Sequence, residues 1–289
     1  MGRRGPAIKV PHLVPYQGSK RRLAPVILSY IQALRPQRLI EPFAGSAAIT
    51  LAAAANGVAD RYVIGDSLPA LVAIWRLAID QPNRLAAGYA DLWRQQEADP
   101  AAHYLRVRSD YNRSADPCSL LYLLARCVKN APRFNAAGAF NQAADHRRRG
   151  LHPDRLRSHA LGVAALLAGR SEVYGGDFRP LLAQATARDV VYLDPPWAGT
   201  TLGRDKRYHR GLATDELVDA LRQLDRAGVP FLLSYDGRCG RQSYGAPLPA
   251  DLGLRHVELA AGRSSQATLL GRNSETVESL YLSRHLPPS

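Results

Sequence analysis

The amino-acid sequence predicts an α/β fold in which a helical segment interrupts a largely parallel sheet. Several short apolar runs end abruptly at glycine or aspartate, as strands of a parallel sheet do at their carboxyl ends. Helix-like segments separate these runs, and alternation of strand and helix is typical of a parallel α/β sheet. From about residue 81 to residue 169 the pattern is helical, with no convincing strand. A chain of 289 residues is long enough to bury the core that such a fold needs.

Seven segments have the pattern of strands. Five of them run into a glycine, an acid or a Tyr-Asp pair, and these are expected to form the parallel part of the sheet. They cover residues 38–40, 61–64, 172–174, 190–193 and 230–234. Two more, residues 254–260 and 276–283, are expected to be antiparallel strands joined by a polar loop.

Three segments between the strands are predicted helices. Residues 47–55 are almost entirely Ala, Leu and Ile, and residues 68–79 have the pattern of a buried helix. Residues 214–227 open with a Thr cap, followed by Asp215 and Glu216 in the first turn. These helices would connect the strands of the sheet.

The middle of the chain predicts the domain organisation. Residues 1–80 and 170–289 would form one discontinuous sheet domain, with residues 81–169 as a helical insert between its second and third strands. The insert contains a loop rich in Gly, Asn and Arg, residues 129–150. It is expected to project from the strand ends that carry the functional site.

The charge of the chain is strongly basic and unevenly distributed. Lysine and arginine number 38 against 25 acids, a formal net charge of +13. Eight basic residues and no acid precede Glu41, and eight more lie from Arg126 to Arg157 with only two acids. Such clusters favour nucleic acid as the partner, since each neutralised phosphate releases counterions. Free use of arginine codons by a GC-rich genome is the alternative, although it would scatter charge more evenly.

The sequence gives no sign of a membrane span or of a metal site. No apolar stretch approaches the roughly 18 residues that a span requires. The three cysteines lack the spacing of metal ligands and fit reduced thiols. We therefore expect a cytoplasmic protein without a bound metal.

A glycine turn and an acid form the first candidate site. Glu41-Pro42-Phe43-Ala44-Gly45-Ser46 stands between a strand and a helix, where glycine permits close approach of a ligand. Asp66 ends the next strand, 21 residues after Gly45. This spacing is typical of a turn followed by an acid that binds ribose hydroxyls. An aspartate at a strand end is also often only a helix cap, so both interpretations stand.

The segment Asp194-Pro195-Pro196-Trp197 follows another predicted strand and carries the second candidate site. Two prolines fix the backbone and remove two amide donors, which leaves nearby carbonyls unpaired. The Asp194 carboxylate and the Pro195 carbonyl can accept the N–H groups of a nucleobase amine, and Trp197 can stack on a flipped base. The amine nitrogen is a poor nucleophile, so an electrophilic methyl group held in line would complete the arrangement. The alternative is a proline-stiffened loop around a buried tryptophan.

These motifs, in this order, resemble the Dam-type (D12 class, group alpha) DNA adenine-N6 methyltransferases. The family order begins with a lysine motif, here Pro15-Tyr16-Gln17-Gly18-Ser19-Lys20, and ends with the Asp-Pro-Pro-aromatic tetrad. The resemblance extends from Pro15 to about Tyr281. It implies a Rossmann-like S-adenosylmethionine-dependent methyltransferase sheet, with residues 81–169 as the target-recognition domain. It also implies site-specific methyl transfer to N6 of a flipped adenine in double-stranded DNA.

The resemblance assigns roles to individual residues. Lys20 would lie at the methionine carboxylate of the cofactor, Asp66 at its ribose and Gly176-Asp177-Phe178 beside its adenine. Ser234-Tyr235-Asp236 would help to wall the base pocket. The implied catalytic residues are Asp194, Pro195, Pro196 and Trp197. The implied cofactor-binding residues are Tyr16, Gly18, Lys20, Glu41, Pro42, Phe43, Gly45, Ser46, Asp66, Asp177, Phe178 and Asp194.

Within the insert, residues 133–141 resemble the DNA-contacting loop of the family. Arginine suits bidentate contacts to guanine or phosphate, and asparagine suits adenine. A solvated basic loop is the alternative interpretation. The residues expected to contact DNA are Lys129, Asn130, Arg133, Asn135, Asn141, Arg147, Arg148 and Arg149.

The chain departs from the family pattern at a few positions. Ala47 stands in place of a second glycine, Ser67 in place of a common asparagine and Trp197 in place of the usual tyrosine. Ala143 and Ala144 occupy a stretch that usually contains proline, which leaves the target sequence open.

Three other functions compete with DNA adenine methylation. A cytosine-N4 methyltransferase usually has Ser or Asn before the two prolines, so Asp194 favours adenine. An RNA adenine-N6 methyltransferase can share Asp-Pro-Pro-Trp, and a catalytically silent DNA-binding regulator could keep the fold. The favoured interpretation is a bacterial or phage-encoded monomer or weak dimer, of orphan type or with a cognate restriction endonuclease.

Overall fold

The computed structural model describes residues 9–196, 214–239, 242–244, 248–263 and 275–287, and the strands within these ranges form one sheet. In chain order the strands are β1 Arg38–Glu41, β2 Arg61–Asp66, β3 Ser171–Gly175, β4 Asp189–Leu193, β5 Phe231–Cys239, β6 Gln242–Tyr244, β7 Arg255–Arg263 and β8 Glu275–Leu282. Across the sheet their order is β3-β2-β1-β4-β5-β8-β7, and β6 pairs with β5 outside this path. The first five strands pair parallel, while β8 lies antiparallel between β5 and β7. The predicted α/β fold with a Rossmann-like, largely parallel sheet is confirmed.

The helices connect the strands and fill the segment between β2 and β3. In chain order they are α1 Ala24–Ile31, α2 Ala48–Ala55, α3 Pro69–Asp80, α4 Pro82–Gln95, α5 Pro100–Ser114, α6 Pro117–Arg126, α7 Pro153–Leu167, α8 Phe178–Leu182 and α9 Thr214–Arg226. Short 3-10 turns cover Lys20–Arg22, Val128–Asn130 and Ala250–Leu252. Each helix from α3 to α7 begins with proline, whose fixed φ suits a first turn in which no amide donor is needed.

The carboxyl ends of the parallel strands meet at one edge of the sheet, where the strand order reverses. β1 leads through α2 to β2 on one side, whereas β4 leads through α9 to β5 on the other. A reversal between neighbouring strands opens a crevice outside their carboxyl ends, the usual ligand site of such sheets. Glu41 ends β1 and Asp194 directly follows β4, so these two residues flank that crevice.

Two hydrophobic layers cover the two faces of the sheet. Leu39 and Val190 contribute to one layer, and their neighbours Ile40 and Val191 contribute to the other, as the alternation of side chains along a strand requires. The first layer also contains α1, α2, α3 and the helices between α3 and β3, whereas α8 and α9 belong to the second. The insert thus packs on the same core as α2 and α3, and its division from the rest at residues 81 and 169 stays a prediction.

The strand β5 is longer than its sequence indicated. The predicted strand ends at Ser234, but β5 continues through Tyr235 and Asp236 to Cys239. The extension is paired on one side by β8, where Gly237 lies opposite Glu278, and on the other by β6. The register of the β5–β8 pairing shifts between Ser234 and Gly237, where this extension begins. The polar loop expected between the last two strands lies outside the described residues.

Among the described residues, no helix combines the length and apolar character needed to cross a membrane.

A buried ion pair joins β1 to β4 at their amino ends. The Asp189 side chain is 1% exposed and accepts hydrogen bonds from Arg38 Nε at 2.9 Å and Nη2 at 2.7 Å. Thr186 donates to the same carboxylate through its amide at 2.8 Å and its hydroxyl at 2.9 Å. Burial would raise the pKa of Asp189, but the hydrogen bonds of Arg38 and Thr186 outweigh burial and hold it below its ordinary value.

Asp189→Asn is expected to lower the free energy of unfolding by about 3 kcal/mol, because it leaves Arg38 without its buried carboxylate. Urea unfolding at neutral pH measures the loss. Because the folded pKa of Asp189 is lowered, the stabilisation is present above the unfolded pKa and is lost as the pH falls through the folded pKa. Asp91→Asn is the control: its pair with Arg94 has both side chains 66% exposed, and a loss below about 1 kcal/mol is expected. Equal losses for the two variants would contradict this account.

Candidate active site

The glycine turn after β1 is held by the acid that ends β2. Gly45 has a φ of 49°, and its amide donates to Asp66 Oδ2 at 3.1 Å. Asp66 Oδ1 accepts from the Leu68 amide at 2.9 Å, and the Gly45 carbonyl accepts from Trp75 Nε1 at 3.1 Å. Burial raises the pKa of Asp66, opposed by these amide hydrogen bonds. Asp66 therefore holds the turn and the start of α3, while its contact with a ribose stays a prediction.

The N-terminal motif lies against the same turn. A Cβ added at Gly45 would lie 3.3 Å from Tyr16 Cδ1, so the Tyr16 ring covers this glycine. Ser46 Oγ donates to Ser19 Oγ at 2.8 Å. Residues predicted separately from two motifs, Tyr16 with Gly45 and Ser46, are thus brought together.

Glu41 is buried beneath the turn. Its Oε2 accepts from the Thr50 amide at 2.9 Å and from the Thr50 hydroxyl at 2.5 Å. Burial raises the pKa of Glu41 to about 7, partly offset by the hydrogen bonds of Thr50. The structure places this carboxylate on the first turn of α2, where it fixes the helix that follows the glycine turn.

Two aromatic rings flank the other side of the turn. The centroids of Phe43 and Phe178 lie 5.0 Å apart with an interplanar angle of 43°. Asp177 caps α8 by accepting from the Arg179 amide at 2.9 Å and also forms an ion pair with the Arg179 side chain. The end of β3 therefore reaches the end of β1 through the Phe43–Phe178 contact.

A buried lysine binds the aspartate of the Asp-Pro-Pro segment. Lys20 Nζ lies 2.9 Å from Asp194 Oδ1 and 3.4 Å from Glu278 Oε2, and it donates to the Gly18 carbonyl at 3.0 Å. The Lys20 side chain is 5% exposed. Burial opposes its charge, but Asp194 and Glu278 outweigh burial, so the pKa of Lys20 lies above its ordinary value. The structure thus places Lys20 on Asp194, whereas the resemblance assigned it to the methionine carboxylate of the cofactor.

Asp194 stands in a strongly polar but buried environment. Burial raises the pKa of Asp194 to about 6 and the charge of Glu278 raises it too, while Lys20 acts in the opposite direction. Behind it, Tyr192 and Ser234 share a hydrogen bond of 2.7 Å between their hydroxyls. Pro195 is buried and Pro196 half-buried. Trp197, the fourth residue of the predicted catalytic set, lies outside the described residues, as does the side chain of Asp236.

The basic loop, defined here as residues 127–150, is folded as a short irregular hairpin. Bridges join Cys127 to Ala144 and Phe134 to Phe140. At its tip, Asn135 Oδ1 accepts from the Ala137 and Ala139 amides at 3.0 and 2.9 Å. The amide oxygen of Asn135 is therefore engaged in the turn itself.

The helices of the insert hold the basic loop from behind. Asn112 on α5 donates to the Phe140 carbonyl at 3.1 Å and accepts from the Phe140 amide at 2.7 Å. The Tyr104 hydroxyl donates to the Gln142 carbonyl at 3.0 Å. Because backbone groups on the loop are bonded to side chains on a helix, the loop has a defined position relative to the sheet.

One end of the basic loop touches the N-terminal motif. The Gln17 amide donates to the Asn130 carbonyl at 3.0 Å, and Lys129 and Asn130 have φ values of 58° and 52°. The Asn130 side chain donates to the Leu124 carbonyl at 2.7 Å and accepts from Arg148. Asn130 therefore ties the loop to the lysine motif.

The residues expected to contact DNA differ in exposure. Arg133 and Asn130 are half-buried, and the other six are exposed. Asp145 accepts from both Arg147 and Arg148, at 3.3 and 3.2 Å, which orients these two side chains. The exposed set consists of Lys129, Asn135, Asn141, Arg147, Arg148 and Arg149.

The order of motifs and the geometry agree with one known family. The sequence profile of the D12 class N6 adenine-specific DNA methyltransferases matches residues 16–281. The chain belongs to this family. The match includes every motif that meets at the crevice, from Tyr16 to Glu278, and confirms the predicted resemblance.

Named relatives of this D12-class chain come from bacteria and a phage. It is 24% identical over 283 residues to the Type II methyltransferase M1.LlaDCHI of Lactococcus lactis subsp. cremoris, with 92% of this chain and 94% of the relative covered. It is 26% identical over 268 residues to a DNA adenine methylase of Vibrio cholerae serotype O1, with 88% and 93% covered. It is 26% identical over 245 residues to the DNA N-6-adenine-methyltransferase of Escherichia phage P1, with 79% of this chain and 30% of the relative covered.

A methyltransferase of this family uses S-adenosylmethionine, and the residues at the crevice fit such a group. A Cβ added at Gly18 or Gly176 would meet no atom within 4 Å, so open space adjoins the motif on both sides of the turn. The rings of Phe43 and Phe178, tilted by 43° to each other, offer an apolar surface beside it. Among the described residues, no group of His, Cys, Asp and Glu side chains has the arrangement of a metal site.

Sequence reasoning missed two residues of this D12-class site. Glu278 reaches Lys20 from β8, and Thr50 binds Glu41 from α2. The sequence could have indicated Thr50, because it is the polar residue in an otherwise apolar helix. It gave no such indication for Glu278, since the position of Glu278 depends on β8 being inserted beside β5.

Gly45→Ala is expected to weaken S-adenosylmethionine binding at least about tenfold, because the new Cβ meets the Tyr16 ring and distorts the turn. Calorimetric titration with S-adenosylmethionine measures the change. Gly57→Ala is a matched control: Gly57 has a φ of 63°, but its Cβ would meet nothing within 4 Å. Both variants carry the backbone strain of a positive φ, about 1 kcal/mol, but only at Gly45 does the change lie in the turn after β1 and meet Tyr16. Equal loss of cofactor affinity would show that this turn does not form the cofactor surface.

Proposed function

We propose that this D12-class protein transfers a methyl group from S-adenosylmethionine to N6 of a flipped adenine in double-stranded DNA, at a specific sequence. The observation that carries the proposal is the placement of Asp194, which follows β4 at the point where the strand order reverses. It is a carboxylate with pKa raised to about 6, next to a cofactor turn and within a family of adenine-specific enzymes.

The chemical role of Asp194 is to accept a hydrogen bond from the adenine amine. An ionised carboxylate accepts but cannot donate, and the carbonyl of Pro195 supplies a second acceptor for the other N–H. Together they draw the nitrogen toward tetrahedral geometry, which frees its lone pair for attack. S-adenosylmethionine supplies the electrophilic methyl group when it is bound. Positioning of the amine contributes most of the rate, because the attack needs alignment.

The methylated nitrogen must then release one proton. Asp194 is its immediate acceptor in this proposal, and a pKa near 6 makes transient protonation of this carboxylate easier than for an exposed aspartate. Trp197, which follows the two prolines in sequence, is proposed to stack on the flipped base.

The residues proposed to bind S-adenosylmethionine would contact different parts of it. Tyr16, Gly18 and Gly45 would line the methionine side of the turn, and Asp66 the ribose. Phe43 and Phe178 would lie along the cofactor adenine. Glu41 would support the cofactor turn indirectly, because it binds Thr50 in the first turn of α2.

Basic residues from two distant parts of the sequence support DNA binding at this edge. The His12 amide donates to His159 Nδ1 at 3.2 Å, which fixes the N-terminal segment on α7. Burial lowers the pKa of both histidines, and Arg21 acts on both in the same direction, as Arg155 does on His159. Because α7 leads into the amino end of β3, its first turn lies toward the carboxyl edge of the sheet. Arg21 follows the lysine motif, which contacts the basic loop through Gln17, so we propose that Arg21 and Arg155 extend the DNA surface formed by that loop.

Two alternatives remain open to experiment. An RNA adenine-N6 methyltransferase would be inhibited by competing RNA more strongly than by duplex DNA. A catalytically silent DNA-binding regulator would bind DNA without label transfer. We also propose a cytoplasmic monomer or weak dimer, of orphan type or paired with a restriction endonuclease.

Asp194→Ala is expected to lower methyl transfer by about a thousandfold or more, because the amine loses its acceptor. Tritium transfer from labelled S-adenosylmethionine to unmethylated duplex DNA, followed by nucleoside analysis, measures it. Wild-type label should appear in N6-methyladenine, and the variant should keep most of its DNA affinity. Asp219→Asn, at an exposed position on α9, is the control. Undiminished transfer by Asp194→Ala would refute the assignment.

Arg133→Ala is expected to weaken duplex DNA binding about tenfold while leaving S-adenosylmethionine affinity unchanged, since it removes a contact of the basic loop. Fluorescence anisotropy of labelled duplex DNA measures the dissociation constant. Arg226→Ala, an exposed arginine on α9 in the opposite layer, serves as control for the loss of one positive charge. The same affinity for Arg133→Ala and Arg226→Ala would remove the loop from the interface.

A further inference from the structure

Glu278 is a half-buried carboxylate beside the candidate active site, and the proposed reaction does not use it. It lies on β8, opposite Gly237 of β5 and Leu259 of β7. Its side chain is 17% exposed and reaches within 3.4 Å of Lys20 Nζ. Three chain segments, the lysine motif, the end of β4 and β8, thus place two carboxylates around one ammonium group.

The two carboxylates do not hold Lys20 equally. The distance from Nζ to Asp194 Oδ1 is 2.9 Å, and the distance to Glu278 Oε2 is 3.4 Å. Glu278 Oε2 is buried, and its ion pair with Lys20 is too long for a well-formed hydrogen bond. A buried carboxylate oxygen with such a weak contact is poorly satisfied, so it can accept more strongly from a donor that moves a short distance closer.

The proposed reaction favours such a movement. Asp194 must accept the N–H of the adenine amine, yet its Oδ1 already accepts from the Lys20 ammonium. A carboxylate has lone pairs for both donors, but the bound ammonium stabilises the negative charge of Asp194 and so weakens it as an acceptor for the amine. A buried ammonium that leaves one carboxylate needs another, because an unpaired charge in a buried site is strongly unfavourable.

We propose that Glu278 is a positioning residue that receives the Lys20 ammonium when the adenine amine binds Asp194. The inference rests on the proposed function. Lys20 stays protonated throughout: it exchanges a short contact to Asp194 for a short contact to Glu278, and its bond to the Gly18 carbonyl at 3.0 Å serves as the pivot. The net charge of the cluster is unchanged, while Asp194 becomes a stronger acceptor for the amine.

Glu278 also acts on the ionisation of Asp194. Its negative charge raises the pKa of Asp194, in addition to the larger effect of burial, and Lys20 opposes both. Removal of this charge lowers the pKa of Asp194 and leaves Lys20 with one carboxylate only. The rate then depends on ionised Asp194 down to a lower pH, but Lys20, which has no other carboxylate, stays on Asp194 and weakens it as an acceptor for the amine.

Glu278→Gln tests the proposal, because it keeps the shape of the side chain and removes its charge. In single-turnover methyl transfer to bulk unmethylated duplex DNA, the rate at neutral pH is expected to fall at least about tenfold, equivalent to 1.4 kcal/mol. The acidic limb of the pH–rate profile is expected to move to lower pH. S-adenosylmethionine affinity should stay unchanged. Glu278→Asp, which keeps the charge, should recover part of the rate and keep the wild-type acidic limb.

Glu258→Gln on β7 is the matched control. It lies next to Leu259, the partner of Glu278 in the strand pairing, and therefore on the opposite face of the sheet, where it is exposed. It is expected to leave the rate and the pH profile unchanged. Because removal of the Glu278 charge moves the acidic limb by itself, the rate of Glu278→Asp distinguishes the two roles: a merely structural role would lower activity equally in both Glu278 variants.

Two outcomes would overturn different statements. Wild-type protein that transfers no label to DNA would overturn the proposed function. Wild-type transfer together with an unchanged rate and pH profile in Glu278→Gln would overturn the role of Glu278 alone. If Glu278→Gln does not fold, Glu278→Asp decides. A role as lysine acceptor then requires that this variant has a partly reduced rate and an acidic limb at the same pH as in the wild-type protein.

Discussion

The contact between Lys20 and Asp194 joins parts of the chain that lie far apart in sequence. Lys20 belongs to the segment before α1, Asp194 follows β4, and Glu278 comes from β8, the last strand along the chain. Lys20 is buried and the two carboxylates are half-buried, so each charge would be unfavourable without the others. The cluster helps to hold the lysine motif, which in turn contacts the basic loop through Gln17 and Asn130.

The parallel sheet explains why acids accumulate in one place. Glu41, Asp66 and Asp194 each follow the apolar run of a strand, and parallel pairing brings all such ends to one edge. Burial raises the pKa of each of these carboxylates, and each is stabilised by a different hydrogen-bond partner. Thr50 binds Glu41, backbone amides bind Asp66 and a lysine binds Asp194. Only Asp194 has a partner that can move away, which suits the residue proposed to contact substrate.

The basic loop belongs to the same architecture rather than to a separate attachment. Its backbone is bonded to Asn112 and Tyr104 on α5, and the insert helices share the core that covers α2 and α3. A loop held in this manner presents its arginines at a fixed distance from the crevice. Preorganisation of this kind would reduce the ordering cost of the DNA binding proposed for this loop, since fewer groups would lose freedom when the duplex binds.

The sequence by itself determined the α/β class, the position of the parallel strands and the motifs at their ends, because hydrophobic runs and turn residues are local signals. The family resemblance then assigned Asp194 and the cofactor turn. Only the tertiary structure decided which side chains meet. It placed Lys20 on Asp194, bonded Asp66 to the amides of Gly45 and Leu68, and set Glu278 beside both charges. Lys20 lies 174 positions from Asp194 and 258 from Glu278, and the place of Glu278 depends on an antiparallel strand inserted between two others. No local pattern encodes such neighbours. For the same reason the continuation of β5 beyond Ser234 became visible only with β8 in place, because the pairing strand supplies the hydrogen bonds that extend it.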